Sequence, residues 1–60
     1  MNHTQWKYHV SEIGLQLFGA SAFDRIREEL DKRGALGWEL VTVAHNSNNS
    51  STWLYFKKPA

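Results

Sequence analysis

The sequence has 60 residues and a mass of 6.9 kDa, which suffices for one domain, residues 1–60, and is too short for two. Seven Lys and Arg residues against six Asp and Glu leave a net charge of +1, so composition does not predict the strongly basic surface of nucleic-acid-binding proteins. The chain has no Cys, which excludes disulfides and thiolate-bound metals.

The N-terminal residues 1–5 are polar, and no apolar run approaches the roughly 18 residues that a membrane span needs. We therefore expect a cytoplasmic protein with no contact to a membrane. The four glycines are spaced as boundaries between elements and form no phosphate-binding loop, so no cofactor is predicted.

The size of the chain makes its stability marginal. A compact protein of this mass exposes roughly 4,000 Å² and buries about 60% of its unfolded surface. Without a disulfide or a metal, such a chain needs a good aromatic core or a partner subunit. It has eight aromatic residues, three of them Trp.

The first predicted element is a strand over residues 5–11, where apolar and polar side chains alternate with a period of two. One side of this strand carries Trp6, Tyr8 and Val10, and the other carries Lys7, His9 and Ser11. Residues 12–19 contain two glycines and predict a strand end and a loop, whose apolar residues would cap the core.

A helix is predicted over residues 21–33. Ser21 can cap it by accepting the N–H of Asp24, and Gly34 can end it in the left-handed conformation. Two pairs with the spacing of one helical turn are expected to be ion pairs of structural importance only: Glu28 with Lys32, and Glu29 with Arg33.

Two further strands follow, at residues 38–43 and 52–57, joined by a polar hairpin loop over 45–51. Lys58 and Pro59 are expected to end the last strand. The fold class is therefore α+β, a three-stranded antiparallel sheet with one helix on one face, in the order β-α-β-β. Strand order 1-3-2 is preferred because it makes every neighbour antiparallel, although order 1-2-3 is also compatible with the sequence.

Three segments resemble a known family. The run from Gly34 to Val41, Gly-Ala-Leu-Gly-Trp-Glu-Leu-Val, resembles a consensus of many small bacterial and phage proteins, the domain of unknown function 4177 (DUF4177). Residues 6–10 resemble its opening strand and residues 54–59 its closing aromatic and basic strand. The resemblance implies the same strand, helix and hairpin fold. It implies no catalytic residue, because the family has no settled activity.

Few side chains suggest chemistry. His9 with Glu12 or His45 could form a metal site at a sheet edge, but solvent-facing histidines are much commoner. Glu39, inside a strand, could be a general base, although an outward charge paired with Lys7 or Lys57 is the favoured interpretation. The sequence therefore predicts no metal ligand and no catalytic residue.

The serines are explained without catalysis. Ser21 is expected to cap the helix, and Ser47, Ser50 and Ser51 are expected to lie in the hairpin loop. No arrangement of nucleophile, base and orienting acid is visible, so the sequence predicts that the protein is not an enzyme.

Both faces of the predicted sheet carry large apolar side chains, but one helix covers only one face. Leu40 is expected to point to one side, and Val41 and Val43 to the other. The core is expected to be drawn from six apolar residues: Trp38, Leu40, Ile26, Leu30, Phe23 and Phe56. The interface or ligand candidates are Trp6, Tyr8, Trp53, Tyr55 and Lys57.

The favoured function is a binding or interaction protein that forms a homodimer through the second face of its sheet. One alternative is a small-molecule or nucleotide ligand held at a subunit interface. Another is single-stranded nucleic acid stacked on the sheet aromatics, with phosphates at Lys7, Lys57 and Lys58. The near-neutral charge balance argues against this second alternative.

Overall fold

The computed structural model of the chain describes residues 5–14, 19 and 21–60. Its elements are strand β1 (Trp6–Ile13), helix α1 (Ala22–Ala35), strand β2 (Glu39–Asn46) and strand β3 (Ser51–Pro59). The predicted α+β class and the order β-α-β-β are confirmed. Within the described ranges, α1 lacks the length and apolar character of a membrane-crossing helix.

The three strands form one antiparallel sheet in the order β1-β3-β2, which confirms the preferred crossover. The prediction that Lys58 and Pro59 end the ladder was wrong, because β3 continues through both and Pro59 lies opposite Trp6. β2 begins only opposite Lys57, so Pro59 has one neighbouring strand and its missing N–H removes no bond on the other side. The N–H of Ala60 donates to the carbonyl of Gln5 at 2.9 Å.

The register of the sheet determines which side chains face the helix. Ser11 reaches a side chain of α1, so this side of β1 is the helix side. Directly opposed residues share a face. The helix side of β3 therefore carries Leu54, opposite Ser11, and Phe56, opposite His9.

A β-bulge in β2 changes the expected facing of one valine. Leu40 lies opposite Phe56, and Val43 lies opposite Leu54, so Leu40 and Val43 share the helix side. The prediction that Val43 lies on the second face was wrong. The register shifts between Leu40 and Thr42, where Val41 is the extra residue. One extra residue moves each later side chain of β2 to the side of the sheet opposite to that predicted by simple alternation.

The predicted start of the helix is confirmed, but its end lies two residues further on. The Ser21 hydroxyl accepts the N–H of Asp24 at 3.2 Å. Gly34 lies within the helix, which ends at Ala35 with Leu36 as its C-cap. Gly37, with φ of +92°, adopts the left-handed conformation that had been expected at Gly34.

Substitution by alanine is expected to have opposite effects on stability at Gly37 and Gly34. Gly37→Ala forces a side chain into the left-handed region and is expected to destabilise the fold by about 1–2 kcal/mol. Gly34→Ala is the matched control, because a Cβ there meets no atom within 4 Å and alanine favours a helix by about 1 kcal/mol. Urea denaturation of both variants measures the difference, and a stabilised Gly37→Ala would contradict the account.

The fully buried apolar core is small. Within the described ranges it consists of Leu54 and Phe56, of which only Phe56 was predicted. Three further predicted core residues are half-buried: Trp38, Ile26 and Leu30. Phe23 and Leu40 were predicted wrongly, being 75% and 38% exposed.

The position of Phe23 along α1 distinguishes it from the half-buried residues. Ile26, Glu29 and Leu30 are half-buried and lie close together on a helical projection. Phe23 lies on the same side of the helix, seven residues before Leu30, but in the first turn of α1, so its exposure follows from its place at the helix start and not from its side. The predicted capping of the core by apolar residues of the loop after β1 falls on residues 15–18, outside the described residues.

A polar network joins the sheet to the helix. The Ser11 hydroxyl, itself buried, donates to Glu29 Oε2 at 2.5 Å, and Arg33 Nε donates to the same oxygen at 2.8 Å. These hydrogen bonds, Ser11 first, lower the pKa of Glu29 despite its partial burial. The expected Glu29–Arg33 pair is thus confirmed, and it is the sole ion pair in the described part of the chain, so the Glu28–Lys32 pair is not formed.

The lowered pKa of Glu29 predicts a loss of stability in acid. Its contribution is complete above the unfolded carboxyl pKa, about 4.3, and disappears as the pH falls through the lower folded value. Glu29→Gln is expected to be about 1–2 kcal/mol less stable than the wild type at pH 7, and this difference is expected to shrink as the pH falls below about 4.3. Urea denaturation at a series of pH values from 7 downward tests this, with Glu28→Gln as the exposed control. A difference that is independent of pH would contradict it.

Candidate functional site

The side of the sheet opposite α1, here called the open face, is not covered by any element in the described ranges. Its side chains form three rows across β1, β3 and β2, according to the register. The central row is Val10, Tyr55 and Thr42. The flanking rows are Tyr8, Lys57 and Glu39 at one end, and Glu12, Trp53 and Ala44 at the other.

The structure brings all five sequence-predicted interface residues onto this open face. Trp6, Tyr8, Trp53, Tyr55 and Lys57 alternate with helix-side residues along β1 and β3. Tyr8 is 70% exposed and the neighbouring Val10 is 54% exposed. Trp53 and Tyr55, on the central strand, are half-buried by their neighbours in the sheet. The face therefore presents aromatic and aliphatic side chains, with charged residues in both flanking rows.

Charged groups lie at both ends of the open face. Lys57 places its ammonium 4.3 Å from the ring centroid of Trp6. Glu39 is opposite Lys57 in the register and is exposed, which agrees with an outward charge and not with a buried general base. Glu12 is exposed at the other end. The face thus has a cation and an acid at one end and an acid at the other.

The histidines are not brought together. His9 lies on the helix side of β1, where its ring packs against Trp38 and Phe56, whereas Glu12 lies on the open face. His45 is near the hairpin and its Nδ1 lies 3.0 Å from Thr52 Oγ1. Residues 5–14, 19 and 21–60 contain no cluster of three metal-ligating side chains, so the metal hypothesis for His9 and His45 is not supported.

A Ser–His–Glu set does exist, and sequence reasoning missed it. His9 Nε2 lies 3.1 Å from Ser11 Oγ, and Ser11 donates to Glu29. In a nucleophilic triad the acid orients the histidine, whereas here the serine lies between the other two. The described residues also enclose no pocket. The three side chains form a hydrogen-bond network between the sheet and the helix. Its only signal in the sequence is a pair of polar residues, His9 and Ser11, two positions apart on the helix side of β1.

The hairpin serines agree in part with their predicted loop positions, since Ser47 and Ser50 lie in the turn. Asn48 N donates to Asn46 Oδ1, and Ser51 N donates to Asn49 Oδ1, so asparagine side chains close the turn. Ser50 has a positive φ of 56° in this turn. Ser51 differs from the prediction, because it is the buried first residue of β3 and not a loop residue.

The helix side carries a smaller exposed apolar region at the β2 edge. Leu40 and Val43 are both partly exposed there, with Val43 50% exposed. This region is less aromatic than the open face and lies beside α1. It supplies a control surface for experiments on the open face.

Comparison with known proteins identifies one relationship. The model of a family described as a domain of unknown function, DUF4177, matches residues 6–59. The match covers both edge strands, the helix and the hairpin. No curated protein and no solved structure matches the chain.

Proposed function

Because the chain belongs to the DUF4177 family, a domain of unknown function, we propose from its own geometry that it is a non-enzymatic interaction protein of the cytoplasm. Its partner in this proposal is a second copy of itself, bound through the open face. The observation that carries the proposal is the uncovered aromatic surface formed by Trp6, Tyr8, Val10, Trp53 and Tyr55.

The exposed area supports a second copy as the occupant. The chain exposes 4738 Å², whereas the scaling of compact monomers gives roughly 4,000 Å² for this mass. The open face contributes to this surface, since Trp6, Tyr8 and Val10 are 39%, 70% and 54% exposed. Burial of these side chains in a dimer would lower the exposed surface toward that of a compact monomer.

The small core supports the same conclusion. Leu54 and Phe56 are the fully buried apolar residues in the described ranges, and a 60-residue chain without disulfides gains little stability from so few. Sheet-on-sheet packing adds a second core between two open faces, about 10 Å thick. The dimer then supplies the stability that one chain lacks.

Charge favours one arrangement of the two sheets. A two-fold axis parallel to the strands would stack Lys57 on the partner's Lys57, which is repulsive. An axis perpendicular to the strands, through the central row, reverses the rows and places Lys57 over the partner's Trp53, beside the partner's Glu12. Lys57 then gains a second cation–π contact and an opposite charge, so we propose this arrangement.

The proposal is tested by the concentration dependence of thermal denaturation. If folding is linked to association, the midpoint rises with protein concentration, whereas that of a folded monomer is constant. We expect a rise of several degrees over a hundredfold range of concentration. A constant midpoint would contradict the dimer and would favour the alternative function of the open face, as a platform for a small ligand or a nucleic-acid base.

A further inference from the structure

Two lysines without acidic partners lie together at one end of the helix side of the sheet. Lys7 and Lys58 are directly opposite each other on β1 and β3. The sole ion pair among the described residues joins Glu29 and Arg33, so neither lysine has a carboxylate within 4 Å. Like charges directly opposed on neighbouring strands are destabilising. A sequence that retains such a pair breaks a local rule of stability, as functional sites do.

An aromatic ring lies beside this pair. The Lys58 ammonium is 4.5 Å from the ring centroid of Trp38, and the Trp38 ring is half-buried at the end of α1. Trp38 also packs against His9 at 5.7 Å between ring centroids. A half-buried ring with an ammonium above it places a flat aromatic surface and a cation together.

The chemistry indicates the ligand class. Lys7 and Lys58 lie on neighbouring strands with their Cβ atoms about 5 Å apart, so their two ammonium groups can bind one phosphate. A tryptophan ring can stack on a planar base. The described residues enclose no pocket, which small metabolites generally require. An open basic surface with an aromatic ring is instead typical of sites for single strands.

We infer that Lys7, Lys58 and Trp38 form a binding site for single-stranded nucleic acid, with one phosphate between the two lysines and one base stacked on Trp38. A base that stacks there displaces the Lys58 ammonium from the ring toward the phosphate. The cation–π contact is then exchanged for a stack and an ion pair. The site lies on the opposite side of the sheet from the open face, so it does not rest on the proposed dimer.

The inference is tested by the anisotropy of a fluorescently labelled ten-residue oligothymidine, titrated with protein between 50 and 200 mM salt. Lys7→Gln is expected to weaken binding about three- to tenfold and to reduce the slope of log affinity against log salt by about 0.7, the value for one phosphate contact in a single strand. Arg27→Gln, which removes the same charge from the exposed side of α1, is the matched control and is expected to leave binding within twofold.

Stability separates loss of the site from loss of the fold. Lys7→Gln removes the like-charge contact with Lys58, so its melting temperature is expected to equal or exceed that of the wild type. No binding by the wild type at 50 mM salt would overturn the inference. So would equal weakening by Lys7→Gln and Arg27→Gln, which indicates attraction by net charge alone. If thymidine monophosphate binds with the same affinity as the oligonucleotide, the assignment to single-stranded nucleic acid is overturned.

Discussion

We expect Val10→Lys to convert the proposed dimer into a monomer, with the dissociation constant raised about 1000-fold. Val10 lies in the central row of the open face beside Tyr55. A two-fold interface places two such lysines in the buried region, and each uncompensated charge costs about 2 kcal/mol or more. Sedimentation velocity at a concentration where the wild type is dimeric measures the change.

Val43→Lys is the matched control for this experiment. Val43 is also a strand valine, with 50% exposure against 54% for Val10, but it lies on the helix side. The account predicts that Val43→Lys remains dimeric. Dissociation by Val43→Lys, with Val10→Lys unaffected, would show that assembly uses the apolar region at the β2 edge and would contradict the role of the open face.

We expect Leu54→Ala to cause a loss of stability large enough to unfold the protein. Leu54 is fully buried on the helix side of the sheet. Removal of a buried leucine side chain costs about 3–5 kcal/mol, because the apolar contacts are lost and a cavity remains. A domain of this size has only about 3–5 kcal/mol in total, so the variant is expected to be unfolded at 25 °C.

The control for Leu54→Ala is Leu36→Ala, the same substitution at the exposed C-cap of α1. It is expected to cost less than about 1 kcal/mol. Leu54→Met, which conserves volume, keeps a measurable folded state and should lose less than about 1.5 kcal/mol. Far-UV circular dichroism and urea denaturation distinguish the three variants. A folded Leu54→Ala with wild-type stability would show that the core lies elsewhere.

The fold was predictable because local signals agreed with each other. Alternation along β1 placed Trp6 and Tyr8 on one side and His9 on the other, as the structure does. The capping role of Ser21 was also predictable, because the hydroxyl and the N–H that it accepts are only three residues apart. Interactions between residues only a few positions apart can be predicted from the local sequence.

The features that the sequence did not reveal depend on contacts between distant segments. The bulge at Val41 is a property of the pairing between β2 and β3, and it moves Val43 to the helix side. The bond from Ser11 to Glu29 joins residues 18 positions apart. Likewise, the opposition of Lys7 and Lys58 follows only from the register, so a net charge of +1 does not reveal that two lysines lie side by side.

The most direct test of the central claim, that the open face is an assembly surface, is the solution mass of the wild type by light scattering across a concentration series. The account predicts a mass of two chains, each of 6.9 kDa, at high concentration and a decrease toward one chain on dilution. A mass of one chain at every concentration would contradict it, because the aromatic side chains of the open face would then remain exposed to water.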